Sequence, residues 1–75
     1  MASPQSALAQ ISQRITVARG RLERQRELIQ TLAKSGDDTH DAEAIFRTMR
    51  RTLEGLEEDR RKIEDEVYST KADGG

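Results

Sequence analysis

From Leu8 onward the apolar residues of this chain return at intervals of three and four: Leu8, Ile11, Ile15, Ala18, Leu22, then polar Gln25, then Ile29 and Leu32. After a short polar stretch the rhythm resumes with Ala42, Phe46, Met49, Leu53, Leu56, then charged Arg60, then Ile63 and Val67. Such steps keep side chains on one face of a helix, and a stripe this narrow is the seam of a helix packed against another helix. No segment alternates with period two, so no strand is expected. Two seams joined by one bend predict an all-α fold: an antiparallel two-helix hairpin with coiled-coil-like packing.

Local end signals set the boundaries. Ser3 is a natural N-cap, followed by Pro4 at the first helical position, where a missing N–H is harmless. Gly36 follows Lys34 where the first helix should stop, and glycine readily takes the left-handed conformation beyond a C-cap. Asp38 or Thr39 then caps the second helix, with Asp41 and Glu43 placing negative charge at its positive dipole end. These signals predict a single hairpin domain over 1–75, with helix one about 4–34, a turn about 35–38, helix two about 39–69 and a frayed tail 70–75.

A turn this short makes the helices antiparallel neighbours, and residues whose numbers sum to about 75 come level. Ile29 then meets Phe46, Leu22 meets Leu53, Ala18 meets Leu56 and Ile11 meets Ile63. Gln25 falls near Met49, and Arg60 near Ile15, where its methylenes can lie on the seam. On the flanks Arg14 comes level with Asp59, and Arg19 with Glu57. The register also accounts for a charge asymmetry: residues 1–34 carry a net +4 and the rest −5, although the whole chain is only −1.

Leu28 and Ile45 extend the apolar surface beyond the seam. They sit beside it, level with each other near the turn. A chain below about 70–80 residues rarely builds enough core to stand alone. The expected partner is a second copy, giving a homodimeric four-helix bundle; a lone hairpin and a complex with an unknown protein partner are the alternatives. The apolar stripes and Leu28 and Ile45 form the expected hairpin and dimer interface. The arginine-bearing face of helix one and the outer face of helix two are the expected contact surfaces.

Composition narrows the rest. Hydrophobic residues are 33%, charged residues 36%, and there is one Phe, one Tyr and no Trp, which suits long charged helices better than an aromatic core. The absence of cysteine removes disulfides and thiolate zinc sites and fits a reducing cytoplasm. No apolar run approaches a membrane span or signal-peptide core, so a cytoplasmic, non-membrane protein is expected.

Candidate chemistry is thin. The run "DDTHDAE" around His40 gathers acids and a histidine, but its spacing matches neither a calcium loop nor a zinc site, and capping uses the same residues. A histidine followed by an acid is shared with phospho-accepting helical hairpins, which makes His40 a third-ranked phosphotransfer candidate. No nucleophile triad, phosphate loop or buried carboxylate pair appears. The chain is therefore read as non-catalytic, without cofactor or metal. The alternative function is a small nucleic-acid-binding regulator using Arg14, Arg21 and Arg24, which lie toward one flank of helix one. The net charge and the lack of stacking aromatics weigh against it.

The segment "RQRELIQTL", then Gly36, then "DTHDAEAIFRTM" with Leu53 following resembles a group of short uncharacterised bacterial helical-hairpin proteins. Their pattern is roughly R-Q-R-E-L-I-x-x-L, a glycine turn, then D-T-x-x-A. The match rests on Gln25, Arg26, Glu27, Leu28, Ile29, Leu32, Gly36, Asp38, Thr39, Ala42 and Leu53, about half the chain around the bend, and departs at His40. The resemblance implies the hairpin and brings no activity with it.

Overall fold

The computed structural model describes residues 3–73, the side chains of Pro4 and of 70–73 aside. Two helices, α1 (Pro4–Lys34) and α2 (His40–Asp73), pack against each other as a hairpin, and no strand occurs among the described residues.

α1 begins where local chemistry provides. Ser3 is extended, and its Oγ accepts from the Ser6 N–H at 3.1 Å, with proline in the first turn behind it. At the other end Ser35 is the C-cap, and Gly36 takes φ +76°, the described positive-φ glycine. The Asp37 N–H donates to the Leu32 carbonyl at 2.9 Å and the Gly36 N–H to the Ala33 carbonyl at 3.1 Å. This is the paired hydrogen bonding of a Schellman motif, which satisfies the last helical carbonyls. A side chain at 36 would have room, since a Cβ there meets nothing within 4 Å, but the left-handed backbone would strain it.

α2 starts by a second local device. Of the two candidate caps, Asp38 acts through its side chain: its Oδ1 accepts from the His40 N–H at 2.9 Å. Thr39 contributes its backbone carbonyl, bonded by the Glu43 N–H at 2.9 Å. Asp41 and Glu43 lie in the first turn. The helix runs on to Asp73, four residues past the expected end at 69. Between Tyr68 and Gly74 there is no glycine or proline to stop it, and Lys71 and Ala72 are good helix formers. Residues 74 and 75 of the expected frayed tail lie outside the described residues.

The core between the helices is small. Ile15 is 1% exposed, and with Ile11 and Leu53 it forms a buried cluster against which Leu8, Ala18, Leu22, Leu56 and Ile63 pack. Ala42 is buried nearer the turn, and Ile29, Leu32, Phe46, Met49 and Val67 are half-buried. Arg19 and Glu57, expected to be level, are joined by an ion pair at 3.1 Å across the hairpin. Gly20 and Gly55 face open space.

The two polar seam positions settle differently from the simple register. Gln25 is only 9% exposed, and its Nε2 donates to the Ala42 carbonyl at 2.9 Å. In a register summing to 75, Ala42 would stand about 12 Å along the axis from Gln25, beyond a glutamine's reach. The helices are level nearer a sum of 67–68, as Ile15 with Leu53 in one cluster and the shared groove of residues 10–21 and 48–56 also require. The donor is thereby satisfied, where an unpaired buried amide would cost about 1–3 kcal/mol. Arg60 keeps its guanidinium on its own helix. Its Nε is shut off from water 3.1 Å from Glu64 Oε1, too misaligned for a proper hydrogen bond.

Candidate interaction surface

One flank of the hairpin is unlike the other. On the flank bearing Arg19 and Glu57 the charges are engaged. Arg26 lies with its guanidinium 6.0 Å from the Phe46 ring centroid and 3.9 Å from Glu23. The opposite flank is a groove of about 600 Å³ between the helices. From α1 it is lined by Gln10, Gln13, Arg14, Val17, Ala18 and Arg21, and from α2 by Thr48, Met49, Thr52 and Leu56.

Helical periodicity carries this flank toward the turn. Leu28 lies seven residues after Arg21 and eleven after Val17, which returns it to the same face of α1; Ile45 precedes Thr52 by seven on α2. Val17, Leu28 and Ile45 are 48%, 46% and 50% exposed, three of the four large hydrophobics that stay open among the described residues. The fourth, Tyr68, projects elsewhere on α2. Three open apolar side chains on one flank, beside an apolar groove, form a patch rather than the single scattered exposures normal for a surface.

The polar groups of the groove do not oppose covering. Thr52 Oγ1 donates to the Thr48 carbonyl at 3.1 Å, and Thr48 Oγ1 to the Ala44 carbonyl at 3.2 Å. Both hydroxyl donors are satisfied within α2, so a neighbouring surface can lie on them without stranding a donor. The Arg14 and Arg21 guanidinia stand at the lip of the groove. Among the described residues Arg14 does not pair with Asp59, contrary to the expected register. Asp59 is exposed one turn beyond Leu56 on the same flank of α2, outside the groove lining.

The remaining expected site residues fall as follows. Arg24 is exposed on the Val17 line of α1 and lies outside the groove lining. His40 is exposed at the first position of α2, and what it contributes to the fold is its backbone N–H to Asp38. No group of three or more His, Cys, Asp or Glu placed to hold a metal ion occurs among the described residues. No described helix is long and apolar enough to cross a membrane. Sequence reasoning missed Val17 because it belongs to neither seam. Its signal was the eleven-residue spacing to Leu28, three helical turns on one face. No family model, curated protein or solved structure matches this chain.

Proposed function

We propose that the hairpin is a non-catalytic protein-interaction or regulatory module that associates with itself through its groove-bearing flank, two copies completing a four-helix bundle. The observation that carries this reading is the coincidence of a very small core with an unpartnered apolar flank. Among the described residues the buried hydrophobic ones are Ile11, Ile15, Ala42 and Leu53, while Val17, Leu28 and Ile45 remain half open together. The accessible surface of 5975 Å² also exceeds the roughly 4,700 Å² usual for a folded monomer of 8.5 kDa. A protomer's share of an ordinary interface, about 800 Å², would remove most of that excess. The cysteine-free composition agrees with a module working in the cytoplasm, and the hairpin agrees with the fold implied by the bacterial proteins it resembles.

Nucleic-acid binding is the second reading, favoured by Arg14 and Arg21 at the lip of the groove. It is the weaker one. Arg19 and Arg26 are occupied on the other flank.

If folding and association are coupled, the melting temperature depends on protein concentration. A tenfold increase in concentration is expected to raise it by about 5 °C, read by circular dichroism. A melting temperature constant across that range would mean a hairpin that folds alone.

A further inference from the structure

We infer that the Gln25 amide sets the register of the hairpin, holding it one heptad away from a second register in which the two stripes also meet, and so decides which residues line its groove. Each stripe repeats every seven residues, so sliding one helix along the other by seven leaves apolar face on apolar face. Stripe spacing therefore allows two registers. In the observed one, residues summing to 67–68 are level: Ile15 meets Leu53, Ala18 meets Met49 and Gln25 meets Ala42. In the slid one the sum is 74–75, and Leu22 meets Leu53, Ile29 meets Phe46 and Leu32 meets Ala42.

Apolar pairing does not favour the observed register. His40 stands level with Leu28 there, so Ile29 and Leu32 lie past the start of α2 and are only half-buried. The turn allows both. The observed register takes the chain back about 9 Å along α1 between Lys34 and His40, within the roughly 16 Å that residues 35–39 can span when extended. The slid register needs only the crossing between helices, about 8–10 Å. The Arg19–Glu57 pair also fits both. Long side chains lean toward the N-terminus of their own helix, and in antiparallel helices these two lean toward each other.

The polar breaks in the stripes do discriminate. In the observed register Gln25, 9% exposed, donates to the Ala42 carbonyl at 2.9 Å. Arg60 falls level with Leu8 near the start of α1, its side chain 41% exposed beside Glu64. The slid register would set Gln25 on Met49, without that carbonyl, and Arg60 on Ile15, the most deeply buried side chain. An amide enclosed without its partner disfavours a state on the order of 5- to 150-fold. One polar residue in an apolar seam is an effective selector of register for this reason. Sliding by a heptad would also set residues 10–21 against about 54–65, so that Thr48, Met49 and Thr52 leave the groove. Gln25 thereby controls the self-association proposed above, a consequence that rests on that reading.

The chain lacks cysteine, so introduced pairs report the register directly. A disulfide needs Cα atoms within about 7 Å. Ala18→Cys with Met49→Cys closes within one chain in the observed register, and Ala18→Cys with Leu56→Cys in the slid one. The chain with Gln25 should close the first pair. Adding Gln25→Leu should raise closure of the second pair relative to the first by about 5- to 150-fold, with no fall in the urea midpoint. Arg60→Leu, which relieves the other break, should move the ratio in the same direction. A glutamine that merely stabilises the fold would instead lower the midpoint on replacement and leave the ratio unchanged, and that result overturns the inference. Preference of the Gln25 chain for the second pair overturns it as well. Ultracentrifugation of Gln25→Leu is a separate arm. A slid hairpin that dimerises as the unchanged chain does overturns the control of association and leaves the register device standing. An unchanged chain that never dimerises overturns the self-association alone, because closure within one chain does not depend on it.

Discussion

Replacing Leu28 and Ile45 together by glutamate is expected to turn the dimer into a monomer while leaving helix content close to that of the unchanged chain. Both side chains are about half exposed in the hairpin, so glutamate at either position keeps its carboxylate in water and its helix propensity is good. In the proposed dimer the same positions are covered. Four carboxylates would then enter an apolar contact with no cation placed to receive them, and burying an unpaired charge is far more costly than losing a methylene. Dimer affinity should fall on the order of 100-fold or more, equivalent to about 3 kcal/mol, measured by analytical ultracentrifugation beside circular dichroism. A variant that keeps wild-type association would place the interface elsewhere. Val17 lies on the same flank and can serve as an independent probe of the patch.

Ile15→Ala carries the other large expected effect, and through stability rather than association. Ile15 is the most deeply buried side chain and the centre of the cluster with Ile11 and Leu53. Truncating a buried isoleucine to alanine removes its transfer free energy and leaves a cavity, typically about 2–5 kcal/mol. In a domain with so little core that is comparable to the whole stability of the fold. Urea unfolding followed by circular dichroism should show the midpoint collapse. Tyr68→Ala, at a 67% exposed position, should shift stability by no more than about 0.5 kcal/mol. Equal effects from the two substitutions would mean that the seam is not the core.

The contrast between these positions was legible in the spacing of apolar residues, because a step of three or four has one meaning on a helix. The boundaries were legible for a related reason. Ser3, Gly36 and Asp38 act on backbone groups within a few residues of themselves, so their roles follow from residue type and position. What escaped the sequence depends on where long side chains go after the backbone is placed. Gln25 was visible as a break in the seam, but its bond to the Ala42 carbonyl depends on the register of the two helices, which spacing within each stripe does not set. Arg14 and Asp59 were read as level, but the helices are shifted by several residues from that register and the two form no ion pair. Arg26 over Phe46 is a similar case: Phe46 is legible in the seam and Arg26 beside it, and the approach of the guanidinium to the ring is a matter of rotamer. The groove itself follows from both stripes together. Small and β-branched residues at 48 and 52 leave α2 low beside Val17, and neither helix alone announces the hollow.

The hairpin's charges sharpen this picture of its surface. Arg50–Glu54 and Arg60–Glu64 are pairs one turn apart along α2, worth a few tenths of a kcal/mol each in water. They hold charge on α2 without asking for a partner. The groove differs, since Arg14 and Arg21 in its lining take part in none of these ion pairs.

The most direct test of the central claim is the mass of the unmodified chain in solution, by sedimentation equilibrium over a wide concentration range. The account predicts convergence on about 17 kDa, twice the 8.5 kDa of one chain, as concentration rises. A mass that stays at 8.5 kDa at the highest concentration would contradict it.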